Sequence, residues 1–459
     1  MPSASETIAA FAAGLRFDAL PSAVVAKMKL HVLDLLGVAL AASSMDFAPA
    51  VAGVAQGRGG PPEATAIGLR ERLPAPWAAL VNGTLAHGLD YDDTHAESVV
   101  HVSAAAVPAA LAACEAANGD GRSFLTALAL GMEVSIRLGL VAPGAFHDRG
   151  FHPTGVCGAF GAALIAGKIA GLSSVQLADG LGLAGSQAAG LMEFLTDGAA
   201  VKRMHPGWAA HSGLLAARLA AAGVTGPRAV FEGRFGLYRS HLGDGEWNLS
   251  ALTSGLGARW HLLDISLKPY PCCHMNHAFI DCAAALQAKH GLASAAIEQI
   301  ECFIHPREVP VVCEPLHSKQ TPQNDYDAKF SLPYAVASQI VRGHVAVDDF
   351  TTAAIREPAV LALARRVVYR EDASNAYPHY FPGWMRVRLH DGRVVEHHEP
   401  INRGHAERPL SAEAVRDKFR RNAALAISDS AAEGLVEAVA ALEDQPDLSR
   451  LAAPLRHAG

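Results

Sequence analysis

Charge and aromatic rings are scarce in this chain. Of its 459 residues 18% are charged and 6% aromatic, with 38 Lys and Arg against 45 Asp and Glu. The formal net charge of −7 comes with no basic arm or stripe, so no nucleic-acid partner is expected. A run of about 20 apolar residues free of charge or Gly interruption is absent, so no membrane span is expected. The opening MPSASETIAAFAAGLRFDAL has no basic region ahead of an apolar stretch. It reads as a first helix rather than a signal peptide, and a cytoplasmic location is expected. Seven cysteines carry no CxxC…CxxC spacing, which points to reduced thiols and away from an iron–sulfur cluster. There is no G-x-S-x-G, and no G-x-G-x-x-G after a credible strand, so serine hydrolases and dinucleotide enzymes lose support. No fixed-period repeat suggests a solenoid.

What is abundant is Ala, Leu and Gly in helical patterns. The chain is too long for one core, and half of it is hydrophobic, so two domains are expected. Pro21 sits where a helix would start, and Val25, Met28, Val32, Leu35 and Leu36 follow as one apolar stripe. Asp34 within it reads as a structural polar contact. AAAVPAALAACEAANG, SFLTALALGMEVSIRLGL, GVCGAFGAALIAGKIAGLS and LADGLGLAGSQAAGLMEF continue the series with small residues that let helices approach closely. The texture then changes. IEQIECFIH alternates like a half-buried strand, and WMRVRLHDGRVVEHHEP reads as two strands joined at Asp391-Gly392. The tail returns to helix. The expected fold is mainly α: a large all-helical domain over 1–265, a smaller α+β domain over 266–400, and a return to the helical domain over 401–459.

Against this background the block HGLDYDDTH, His87–His95, stands out. It crowds Asp90, Asp92, Asp93, two imidazoles and Thr94 between apolar helical runs, a density a packed core does not need. It is either a wet acidic turn or a catalytic loop at the mouth of a helical scaffold. Three more His-bearing blocks, RGFHPTG, KRMHPGWAAH and KPYPCCHMNH, lie beside Pro or Gly at helix boundaries. A lone His is more often a surface or satisfied core residue, but four such blocks, two with Lys, favour function on loops held by a scaffold. Asp beside His offers a general base. Lys202 and Lys268 can neutralise carboxylates or stabilise an enolate-like intermediate, and Thr94 and Tyr334 can donate a hydrogen bond or a proton. The set suits proton abstraction next to a carboxylate, then elimination, decarboxylation or reprotonation. D-x-D-D-x-H also supplies ligands for a divalent metal. Adjacent Asp residues often point apart, however, and no second carboxylate-rich block exists, so no metal and no cofactor are expected. Cys272 and Cys273 read as a buried pair under a loop.

Taken in order, these blocks resemble the MmgE/PrpD family, which includes 2-methylcitrate dehydratase, cis-aconitate decarboxylase and iminodisuccinate epimerase. LDLLGVALA, NGTLAHGLDYDDTH, GFHPTGVCGAFGAA and KRMHPGWAAHSG resemble its helical domain; LKPYPCCHMNH, DAKFSLPYA and RPLS…DKF resemble its second domain and the return. The resemblance implies a cofactor-independent homodimer with an α+β lid over a helical domain, and a site between them for a di- or tricarboxylate. By motif it places Asp90, His101, His152 and Tyr334 in acid/base roles. Thr94, Lys202, Arg203, Lys268, His274 and His277 would hold substrate. His101 follows one extra residue and precedes Val102 where the family has Pro. Where the decarboxylase has a His shortly after the lid-entry Lys and Pro, this chain has Cys273 and then His274. The expected reaction is dehydration of a 2-hydroxy polycarboxylate such as 2-methylcitrate. An epimerase or a decarboxylase using the same site, or a non-catalytic helical binding protein, are the alternatives. If the acidic block is helical, Asp90 and Thr94 share a face, and Asp92 and Asp93 turn to structural hydrogen bonds.

Overall fold

The structure, a computed structural model, describes residues 2–456. Its first part is built from the Ala- and Leu-rich runs, which form the helices Ser22–Ser43, Ala75–His87, Val102–Ala116, Gly121–Leu140, Pro153–Ile169 and His205–Ala221. Pro21 is the N-cap of the first of these, where the sequence places the start. Gly121–Leu140 is long and apolar enough by length and composition to cross a membrane, but it lies inside the fold and carries the buried pair Glu133–Arg137 at 2.7 Å.

One helix crossing decides the rest. Gly83 and Gly207 meet so closely that a Cβ on Gly83 would lie 2.6 Å from the Gly207 Cα. Backbone against backbone, Ala75–His87 and His205–Ala221 therefore bring the end of one helix beside the start of the other. His87 and its following loop come to lie against the 3₁₀ turn Ala200–Met204, which carries Lys202 and Arg203.

Two hydrophobic clusters organise the interior. One runs from Ile8 to Ile265 and takes in Phe419 to Leu455; the other runs from Tyr270 to Leu389 with Ala96, Met192 and Phe194. The tail helix Ala412–Ala423 reaches back to Ser22–Ser43, where Gly37 faces Phe419 and Lys418 pairs with buried Asp34 at 2.8 Å. In the second cluster a central strand, Ile297–Ile304, pairs in parallel with Val367–Glu371 and antiparallel with Gly383–Leu389. The last pairs antiparallel with Val394–Glu399. Its hairpin turns at Asp391-Gly392, with Gly392 at φ +86°, a conformation glycine takes without a Cβ penalty. Ala64–Thr65 forms a short ribbon with Arg72–Leu73. All seven cysteines are free and buried, Cys272 and Cys273 included.

Candidate active site

The loop between Ala75–His87 and Val102–Ala116 is irregular, not helical, so the shared face expected of Asp90 and Thr94 does not exist. Asp90 stands at φ +52° in the left-handed region, which Asp tolerates better than most side chains. Three bonds hold it there. Lys202 Nζ donates to Oδ1 at 2.5 Å, and Lys268 Nζ donates to Oδ2 at 3.0 Å and to the Asp90 carbonyl at 2.8 Å. Lys268 arrives on the chain that bridges Thr94 to Ser266, each donating its N–H to the other's carbonyl. Burial works to raise the Asp90 carboxyl, but the two ammoniums hold it well below the usual range. Conversely, Asp90 and Asp92 raise Lys268 against the opposing effect of burial.

The three carboxylates diverge. Asp93 is structural: its oxygens take the His31 imidazole at 2.5 Å, the Ser103 N–H at 3.0 Å and the Ser103 hydroxyl. Asp92, expected to make structural hydrogen bonds, does make one, to a histidine of the cluster. Its Oδ2 accepts from His87 Nδ1 at 2.8 Å and lies 3.5 Å from His101 Nδ1. Because each Asp serves a different partner, the D-x-D-D-x-H block is no metal cage.

His101 caps Val102–Ala116, its N–H donating to Thr154 Oγ1 at 2.9 Å. Its Nδ1 lies 2.9 Å from the Asp93 carbonyl, which can only accept, so the proton sits on Nδ1 and Nε2 keeps its lone pair. Thr94 Oγ1, 3.2 Å from Nδ1, steadies the ring. The His101 ring lies 4.7 Å from that of His87 and 6.0 Å from that of His152, and His87 and His152 are stacked at 5.5 Å. His152 shares a hydrogen bond with His205, Nδ1 to Nδ1, at 3.1 Å. Burial and the nearby Lys202 ammonium push His87 and His152 well below the ordinary imidazole value; burial and Lys268 do the same to His101 against the pull of Asp92. At neutral pH all three are neutral bases.

The remaining expected residues are taken up by other partners. Arg203 donates to the Gly88 carbonyl at 3.0 Å and to Asp325, and its guanidinium is sandwiched between Phe47 and Tyr326. It ties the loop to the second cluster. His274 stacks on Phe381 and its Nε2 meets Asn402 at 2.9 Å, and His277 Nε2 donates to the Cys272 carbonyl at 3.1 Å. Tyr334 is fully buried, and its hydroxyl donates to the Asp349 carbonyl beside Arg342. None of these three is hydrogen-bonded to Asp90, Lys202 or Lys268 among the described residues. Sequence reasoning passed over His87, Asp92 and His205. The available signal was the pairing of His87 with an Asp five positions on, inside the block already singled out. A cavity of about 910 Å³, lined by Tyr270, Asp281, Arg403 and Arg421 among others, has none of the cluster residues in its lining.

The cluster thus sets two ammoniums around a carboxylate, beside three neutral imidazoles, all nearly shut from solvent. His101 is the most open of the imidazoles, with 12% of its side chain exposed. Ammoniums can take the carboxylates of a polyanion, and imidazoles can move protons at its carbon atoms.

Comparison with known proteins points to one family. The MmgE/PrpD N-terminal domain model matches residues 6–250, and the MmgE/PrpD C-terminal domain model matches residues 270–444. Lys268 lies in the stretch between them. The chain is 29% identical to human cis-aconitate decarboxylase, over 99% of this chain and 95% of the relative. It is 26% identical to the cis-aconitate decarboxylase of Aspergillus terreus, over 96% and 93%. A 2-methylcitrate dehydratase-like protein of Aspergillus oryzae is 25% identical over 39% of this chain and 37% of its own.

Proposed function

The chain belongs to the MmgE/PrpD family, and from that premise we propose that it is a lyase that decarboxylates a tricarboxylate of the cis-aconitate type. The observation that carries this reading is the convergence of four distant blocks on one buried cluster, with Asp90 clamped by Lys202 and Lys268 beside three neutral imidazoles. That convergence also speaks against a decayed binding protein. The near full-length likeness to decarboxylases moves the leading reading from dehydration to decarboxylation.

Lys202 and Lys268 take substrate carboxylates in competition with Asp90, through charge-assisted bonds that strengthen as charge moves. As the C–C bond to the departing carboxylate breaks, CO₂ leaves and the electron pair becomes a new C=C bond. The old double bond shifts its pair to the far carbon, which takes one proton. His101 or His152 delivers that proton, and Thr94 and Asp92 hold the His101 ring for it. A polyanion bound beside neutral imidazoles favours their protonated form, so the proton is drawn in with the substrate. The same proposal takes in a cytoplasmic homodimer in which these steps need no cofactor.

Dehydration of a 2-hydroxy polycarboxylate such as 2-methylcitrate is the second reading, favoured by the dehydratase-like relative. The test is a panel of hydroxy-, unsaturated and amino di- and tricarboxylates followed by proton NMR. A product one carbon shorter than an unsaturated tricarboxylate, with CO₂ released, is expected. Turnover of the hydroxy acids alone, with every carbon retained, would replace decarboxylation by dehydration.

A further inference from the structure

We propose that His87, His101 and His152 form a binding site for a borderline divalent metal ion such as Zn²⁺ or Co²⁺. Each ring offers a nitrogen within 4.8 Å of those offered by the other two. Three imidazoles around an open fourth position are a donor set that suits Zn²⁺. The second observation is at His87. It is fully buried at the end of its helix, its Nδ1 is held by Asp92 at 2.8 Å, and its Nε2 has no hydrogen-bond partner among the described residues. A carboxylate on one ring nitrogen fixes the tautomer and aims the other at a metal, the arrangement that surrounds most ligating histidines. His31, His274 and His277 also each leave one buried ring nitrogen without a partner, and what sets His87 apart from them is its place in a cluster of three imidazoles.

The ammoniums of Lys202 and Lys268 oppose a dication. Both are bound to Asp90, and the carboxylates of Asp90 and Asp92 match them one for one, so the ion enters a cluster with no formal excess of positive charge. This site shares His87 with the acidic block but takes none of its Asp residues as a ligand; the other two ligands come from the end of the loop and from the GFHP block. A bound ion occupies the imidazole lone pairs that the lyase reading requires, so it would inhibit. That consequence rests on the proposed reaction; the binding does not.

The experiment is titration of metal-free, full-length protein with Co²⁺, read by visible ligand-field absorption. One Co²⁺ per chain is expected. His87→Asn should weaken binding at least tenfold, and Asp92→Asn by about 10–100-fold, the usual effect of losing such a carboxylate. His261→Asn, in the separate grouping of His95, His261 and Asp264, should leave the titration unchanged. No stoichiometric binding, unaltered binding in His87→Asn, or loss of binding in His261→Asn would each overturn the site. Should the variants fail to fold, X-ray absorption on Zn²⁺-loaded wild type reads the ligands directly: three imidazoles are expected, and fewer would overturn the site equally.

Discussion

Asp90 Oδ1 accepts from Lys202 Nζ at 2.5 Å, a buried pair that joins positions 112 residues apart. The pair links the loop after one helix to the turn before another, so it belongs to both the site and the fold. Removing one member of a buried ion pair leaves the other uncompensated and costs about 3–5 kcal/mol. Asp90→Asn is therefore expected to abolish turnover and to lower the unfolding free energy by about that amount, read by denaturant titration. Asp90→Asn combined with Lys202→Met should cost less than the two single changes added together, because the double variant strands no charge at that contact.

His101 should act on the chemical step. His101→Gln keeps a hydrogen-bonding side chain at the helix cap but cannot move a proton, and kcat is expected to fall by about 10²–10⁴ with little change in KM. Thr94→Val, which frees the His101 ring on one side, should lower kcat by a smaller factor. An unchanged kcat in His101→Gln would place the proton transfer on another group.

Tyr334 provides the opposite control. Its hydroxyl serves the Asp349 carbonyl in the second cluster. Tyr334→Phe is expected to keep kcat within about twofold while losing about 1 kcal/mol of stability, the net worth of one hydrogen bond. A large loss of kcat with stability intact would restore Tyr334 to the chemistry.

Stability should fall on mild acidification. Burial lowers His87, His101, His152, His274 and His277 well below 6.5, His205 to about 4 and His95 to about 3. As pH drops through 6.5 the unfolded chain takes up protons that the folded one refuses, so each histidine removes up to about 1.4 kcal/mol per pH unit. Thermal melts are expected to shift downward continuously from pH 7 to pH 5. A flat profile over that range would contradict the burial of neutral imidazoles.

Much of this was legible in the residues. The helical stripes, the Asp391-Gly392 hairpin and the strand IEQIECFIH follow from period and turn chemistry, and Asp90, Lys202, Lys268 and His152 were each marked by a Pro- or Gly-flanked block. What sequence could not show is competition for partners. Arg203 sits next to Lys202 in the same motif, yet Gly88 and Asp325 claim its guanidinium. Asp92 and Asp93 are neighbours with the same side chain, and only the fold sends one to His87 and the other to His31. The helical premise for Asp90 and Thr94 failed because two lysines from distant segments stabilise a left-handed backbone that no local pattern requires.

Turnover of cis-aconitate in D₂O, followed by NMR and CO₂ trapping, most directly tests proton delivery by the imidazole cluster during decarboxylation. One deuterium bound to carbon per CO₂ released is the expected result, with both signals lost together in His101→Gln and Asp90→Asn. Deuterium exchange without CO₂, or CO₂ release that persists in both variants, would contradict it.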